Sequence, residues 1–278
     1  MVSQIPKEIS PRPFLKWAGG KNRLIPQYKA YFPQHFHTYY EPFLGGGAVF
    51  FHLQPNQAIL TDINADLITT YRCVRDNIEE LIDLLQKHKD RHTKYDRDYY
   101  YEVRSYPEGT NLEKAARFIY LNKTCFNGLY RVNSQGKFNV PLGRYKNPGI
   151  CQEDVLRIAS QALSQAEIQQ ADFTEVLNYA TSSDDFVFFD PPYHPVSETS
   201  NFTAYSRYAF AESQQVELRD VFVKLAERGV KVMLSNSDCK FIRKLYNSFN
   251  IHTISAARSI NSNAKKRGKI TEVLVTSY

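Results

Sequence analysis

Apolar positions along this chain follow two rhythms, and the sharpest is an unbroken run. Phe186-Val187-Phe188-Phe189 stops abruptly at Asp190-Pro191-Pro192-Tyr193. A run without polar alternation predicts a central strand covered on both faces, and two prolines cannot continue its ladder. Further strands are predicted at residues 38–42, 58–64, 168–173, 230–236, 252–256 and 272–278. Apolar residues recur at helical spacing over 67–87, 112–125, 154–166 and 212–228, and the tyrosine-rich stretch to Pro107 reads as helical in pieces. Asn127-Gly128 and Ser134-Gln135-Gly136 punctuate short aromatic and β-branched runs, which predicts a hairpin through residues 130–140. Strands alternating with helices give an α/β fold.

A chain of 278 residues accommodates one large α/β domain or a core domain carrying an inserted smaller one. Charge favours the second arrangement. The formal net charge is +6, yet residues 114–152 contain no acid and hold Lys114, Arg117, Lys123, Arg131, Lys137, Arg144 and Lys146. Tyr120, Phe126, Tyr130, Phe138 and Tyr145 stand among those cations, the mixture expected of a surface that meets phosphates and bases. Residues 75–153 are therefore expected to form an insert between the second strand and the return to the sheet, and 1–74 with 154–278 the core domain.

In open α/β sheets, ligands bind beyond the carboxyl ends of the strands, where Asp190 and Tyr193 are expected. A carboxylate, a carbonyl held rigid by prolines and an aromatic face make a receptor for a planar ring bearing an exocyclic amine. Asp190 and the Pro191 carbonyl would each accept an amine hydrogen, and Tyr193 would stack on the ring. Upstream, Glu41-Pro42-Phe43-Leu44-Gly45-Gly46-Gly47 reads as a strand end and a glycine turn leading into a helix, with room for a cofactor. The position that a dinucleotide fingerprint gives to its third glycine holds Phe50, which disfavours a nicotinamide cofactor. Asp62 at the next strand end suits the ribose of an adenosine ligand. Trp17, the only tryptophan, stands between Lys16 and a Gly19-Gly20-Lys21 turn and offers a flat face to a ring. The histidines include no H-E-x-x-H pair, and a metal-free site is expected.

Together these motifs resemble the Dam-type DNA adenine-N6 methyltransferases, in which a cofactor motif precedes the recognition domain and Asp-Pro-Pro-Tyr follows it. The resemblance runs through residues 14–21, 41–47, 62–67, 121–146, 172–173, 190–193, 201–205, 235–236 and 258–260 with Glu272. It implies a Rossmann-like methyltransferase sheet with helices on both faces and S-adenosyl-L-methionine as methyl donor. Trp17, Lys21, Phe43, Gly45, Gly47, Asp62, Asp172, Phe173 and Asp190 would then contact the cofactor, with Asp172 at its base and Lys21 near its polar end. Asp190, Pro191, Pro192 and Tyr193 would be catalytic. Lys16, Phe126, Asn127, Leu129, Arg131, Asn133, Pro141, Arg144 and Tyr145 would face double-stranded DNA. Arg131 falls on the family's guanine-reading arginine, and Lys16 on a lysine that helps read the outer guanine, which implies GATC as the site. Phe126 stands where many relatives carry tyrosine, Tyr130 where a small residue is expected, and the loop after Tyr205 departs too.

Two other readings share parts of this pattern. One is amino methylation of cytosine N4, of RNA or of a glutamine side chain; the other is DNA binding without catalysis. The intact Asp190-Pro191-Pro192-Tyr193 motif argues against the second. The chain is expected to be a cytoplasmic, nucleoid-associated monomer with no obligate protein partner. Its four cysteines form no C-x-x-C pair and are expected to be reduced.

Overall fold

The computed structural model describes residues 10–106, 109–195, 210–257 and 269–278. Strands β1 (Thr38–Glu41), β2 (Gln57–Asp62), β3 (Ala166–Gln170), β4 (Asp185–Phe189), β5 (Lys231–Ser237), β6 (Asn250–Ala257) and β7 (Lys269–Thr276) form one sheet in the order β3-β2-β1-β4-β5-β7-β6. β1 pairs in parallel with β2 and β4, and β4 in parallel with β5, while β7 runs antiparallel to both neighbours. This is an open, mostly parallel α/β sheet of the Rossmann-like kind. Its strand order reverses between β1 and β4, and a crevice beyond the carboxyl ends of strands at such a reversal is where ligands bind.

The helices are α1 (Ile25–Tyr28), α2 (Ala48–Leu53), α3 (Ala65–Asp76), α4 (Ile78–Ser105), α5 (Asn111–Thr124), α6 (Glu153–Leu163), α7 (Glu212–Glu227) and α8 (Lys240–Leu245). The chain forms two compact units. One takes in the chain up to Gly20, Gly45–Gln54 and Asn64–Ile168; the other takes in Lys21–Leu44, Pro55–Ile63 and Gln169–Tyr278.

In the second unit, β4 is buried along its whole length, as its unbroken apolar run requires. Val187 and Phe189 join Leu218, Val221, Phe222 and Leu225 of α7 and Ile242 of α8 in one core. Phe186 packs instead on Phe32, Phe36 and Tyr39, and Phe188 on Tyr28. Each fully buried phenylalanine contributes roughly 1.5–3 kcal/mol relative to leaving it exposed. β4 therefore has little freedom, and Asp190 directly follows it.

In the first unit, helix starts follow local capping. The Asn64 side chain accepts from the Asp66 and Leu67 amides at the start of α3, and Thr110 with Glu113 forms a reciprocal capping box on α5. The single helical period over 67–87 is two helices, broken at Asn77, whose backbone (φ −136°, ψ 45°) is not helical. α4 is itself interrupted at Asp96, where φ is 35° and ψ −100°. The strand expected at 168–173 lies at Ala166–Gln170 instead. Asp172 lies beyond it as the cap of a short 3-10 helix, Phe173–Asn178, where its Oδ1 accepts from Thr174 N and Oγ1. A polar side chain that bonds the backbone two residues on competes with strand continuation, and here it wins. The hairpin over 130–140 is short: Val132 bridges Phe138, and Asn133 closes the tip by accepting from the Gln135 and Lys137 amides.

Candidate active site and DNA-reading segment

In the second unit, the end of β4 presents an acid held from two sides. Lys21 Nζ lies 2.6 Å from Asp190 Oδ1, and Ser235 Oγ donates to the same oxygen at 2.8 Å. Lys21 is almost fully buried, with its ammonium also 4.7 Å from the Tyr193 ring centre, so it belongs to the acid rather than to solvent. Tyr193 donates its hydroxyl to Glu272 Oε2 at 2.7 Å. Burial pushes the Glu272 carboxyl above its ordinary range; the Tyr193 bond and Lys21 oppose that shift, and Asp190 adds to it. The Tyr193 phenol is held well above its usual value, mainly by burial and then by Asp190, so it stays protonated.

Carboxylates stand at or just beyond the ends of three strands: Asp62 ends β2, Asp172 follows β3, and Asp190 follows β4. Beside them, Phe43 stacks on Phe173 (5.4 Å between centres, 22° between planes), with Phe189 and Phe210 edge-on to Phe43. This combination suits an adenosine ligand that carries a diol and a positive centre: an apolar wall for the ring, acids for the rest.

The remaining cofactor candidates lie in the first unit. Gly45 and Gly47 take left-handed backbone, φ 46° and 65°. Gly45 cannot carry a side chain: a Cβ there would lie 2.7 Å from both Cδ1 and Nε1 of Trp17. Trp17 in turn stacks with Phe118 (6.4 Å, 22°) and Tyr130 (5.9 Å, 21°). Tyr130 therefore has a local reason to be large, and its hydroxyl donates to Asp66 Oδ2. The expected cofactor set is thus divided, with Trp17, Gly45 and Gly47 in one unit and Lys21, Phe43, Asp62, Asp172, Phe173 and Asp190 in the other.

All the expected DNA-facing residues lie in the first unit. Phe126, Asn127, Arg131, Pro141, Arg144 and Tyr145 are exposed; Lys16, Leu129 and Asn133 are half-buried. Asn122 ties Lys16 to this segment, accepting from the Lys16 amide and donating to the carbonyls of Lys16 and Gly128. Lys16 Nζ then sits 3.8 Å over the Tyr145 ring. Arg131 reaches across the hairpin to Asn139, with its Nε donating to Oδ1 at 2.7 Å. A cleft of about 420 Å³ is lined by Arg144, Tyr145 and Lys146 together with His92 and Asp96.

The sequence matches the family model described as D12 class N6 adenine-specific DNA methyltransferase over residues 17–260. The chain belongs to that family. It is 44% identical to a type II methyltransferase of Lactococcus lactis subsp. cremoris, across 98% of this chain and 97% of the relative. A type II methyltransferase of Methanocaldococcus jannaschii is 42% identical, across 96% and 99%. The DNA adenine methylase of Escherichia coli K12 is 36% identical, across 95% and 94%. This D12 methyltransferase is therefore an adenine-specific DNA methyltransferase, acting on DNA with a methyl donor. Among its described residues, no helix is long and apolar enough to cross a membrane.

Some of the methyltransferase's residues are not where charge or spacing alone points. Arg117 and Lys123, counted in the basic run, turn inward: Arg117 donates to the carbonyls of Val103 and Arg104, and Lys123 to Gln152 Oε1. Burial, and then the charges of Lys16 and Arg12, push the Lys123 ammonium down to about 8. His88 and His92 stand four apart on α4, a metal-pair spacing, but their Nδ1 atoms bond the hydroxyls of Tyr99 and Tyr120. The expected sites at 201–205 and 258–260, and the departure after Tyr205, lie outside the described residues. Gln215 carried no sequence signal. It is fully buried, donates to the Pro192 carbonyl and accepts from Asn236.

Proposed function

We propose that this enzyme transfers a methyl group from S-adenosyl-L-methionine to N6 of an adenine flipped out of double-stranded DNA, in the sequence GATC. The observation that carries the reading is the Asp190 carboxylate, fixed by Lys21 and Ser235 where a rigid β4 meets two prolines and Tyr193. When bound, S-adenosyl-L-methionine supplies an electrophilic methyl on a sulfonium sulfur. The protein's task is to present a weak nucleophile. Asp190 and the Pro191 carbonyl accept the two amine hydrogens, drawing the nitrogen lone pair out of the ring's conjugation, and Tyr193 stacks on the base. Flipping costs a few kcal/mol, met by contacts elsewhere on the duplex.

The acids Asp62 and Asp172 with Phe43 and Phe173 are proposed to hold the adenosine portion of the donor. Residues 75–153 serve as the target-recognition insert, with Lys16 joined to it through Asn122. Arg131 reads guanine as a bidentate pair after leaving Asn139, a contact that discriminates by roughly 1–3 kcal/mol. The test is single-base methylation mapping of DNA from a methylation-free host expressing this chain. N6-methyladenine confined to GATC supports the whole reading. Methylation at another adenine-containing site keeps the chemistry and rejects the assignment of Arg131 and Lys16. N4-methylcytosine, or no DNA methylation from folded protein, rejects the proposed target.

A further inference from the structure

The loop Asp190–Pro195 has a structural problem that its own backbone cannot solve. Prolines at 191, 192 and 195 offer no amide hydrogen, so few main-chain donors remain to fix it. Two buried side-chain amides do so instead. Gln215 Nε2, from α7, donates to the Pro192 carbonyl at 3.0 Å; Asn236 Nδ2, from β5, donates to Gln215 Oε1 at 3.0 Å. Asn236 Oδ1 accepts from the His194 amide at 3.2 Å and the Ser237 amide at 2.8 Å. Both side chains are fully buried.

The direction of this chain of bonds is fixed by chemistry. Two backbone N–H groups point at one end of the Asn236 amide, so that end is the oxygen, and its nitrogen faces Gln215. The end of Gln215 that meets it is then the oxygen, which leaves the nitrogen for Pro192. The clamp grips the peptides on either side of Tyr193: the carbonyl of 192 before it and the amide of 194 after it. It thereby sets the backbone angles of Tyr193 and removes the Pro192 carbonyl from competition for the target amine.

We infer that Gln215 and Asn236 are positioning residues for methyl transfer, holding the catalytic loop in the one conformation that presents the Pro191 carbonyl and the Tyr193 ring together. The inference rests on the proposed role of that loop. The decisive variant is Gln215→Glu, which keeps shape and the acceptor for Asn236 but puts a carboxylate oxygen against the Pro192 carbonyl. At pH 8 the single-turnover methylation rate should fall on the order of 10- to 100-fold, with donor and DNA affinities within about twofold of the parent. Lowering the pH should narrow the gap, because a protonated Glu at 215 regains a donor for Pro192, and burial favours that protonated form. A parent-like rate at pH 8, a deficit that does not change with pH, or a loss expressed only in affinity would each overturn the inference. If circular dichroism shows Gln215→Glu unfolded, Asn236→Asp serves: it still accepts from His194 and Ser237 but sets a carboxylate oxygen against Gln215 Oε1, which breaks the chain of bonds to Pro192, and a parent-like rate for it would also overturn the clamp. Asp190→Asn and Tyr193→Ala are assayed alongside. If these retain activity, the reading of the loop itself fails; if they lose it and the clamp variants do not, only the clamp fails.

Discussion

Gly45→Ala is the most quantitative test of the glycine turn. The substitution meets two costs. Alanine at φ 46° sits in the left-handed region, which costs roughly 1–2 kcal/mol. Its methyl would also lie 2.7 Å from Cδ1 and Nε1 of Trp17. The indole has little room to retreat, since it stacks with Phe118 and Tyr130, and overpacking of this kind costs roughly 1–3 kcal/mol. The expected loss of stability is therefore about 2–5 kcal/mol. Gly46→Ala is the control: its backbone is not left-handed and its Cβ would lie 3.1 Å from Trp17 Cβ, so a cost of about 1 kcal/mol is expected. Denaturant unfolding followed by tryptophan emission measures both, because Trp17 is the only tryptophan and reports its own displacement. Donor affinity, measured by equilibrium dialysis, should fall in the same order. Gly45→Ala no less stable than Gly46→Ala, with unaltered emission, would refute the contact between Trp17 and the turn.

Asp190→Ala should abolish methylation while leaving much of the DNA affinity, and should also lower stability by about 2–4 kcal/mol because a largely buried ion pair is broken. Adding Lys21→Met should restore most of that stability and none of the activity; a single variant as stable as the parent would contradict the pairing. Arg131→Ala should relax discrimination at one base pair in competition methylation assays, whereas an equal loss on every sequence would make Arg131 a phosphate contact. Lys123 titrates at about 8 in the folded chain against about 10.4 unfolded, so between those values the unfolded state binds more protons and folding stability rises with pH, by roughly 3 kcal/mol in all. Lys123→Met should flatten that rise in denaturant midpoints measured from pH 7.5 to 10, and parallel profiles would count against the buried charge.

What the sequence reveals and what it hides follow from range. β4 and its terminal motif are legible because an unbroken apolar run and paired prolines act locally. So are α5 and α7, whose apolar positions recur at helical spacing. The inward turn of Arg117 and Lys123 is not, because composition counts charges and says nothing about where a side chain points. Lys21 illustrates the same limit: nothing in its neighbours signals that the fold pairs it with Asp190, 169 positions along the chain. Asp172 was found as a strand-end acid and is a helix cap, since a capping acid and a strand-terminal acid look alike in one dimension. Gln215 was invisible for a stronger reason: a glutamine in an amphipathic helix is ordinary until its partner carbonyl is known.

The two contacts on Asp190 carry a further consequence for the proposed chemistry. Lys21 and Ser235 both meet Oδ1, which fixes the plane of the carboxylate and assigns the amine hydrogen to Oδ2. A second full negative charge nearby would compete for the same hydrogens and for Lys21. Glu272, whose carboxyl burial pushes above its ordinary range, is turned to the Tyr193 hydroxyl that donates to it. The Asp190 carboxylate is thus oriented from behind by a cation and a hydroxyl. Electrostatic stabilisation of this kind acts without reorganisation during the reaction, and it needs no covalent step on the protein. The tyrosine proposed to stack on the base also donates to Glu272, so the ring and the neighbouring carboxyl belong to one connected group of side chains.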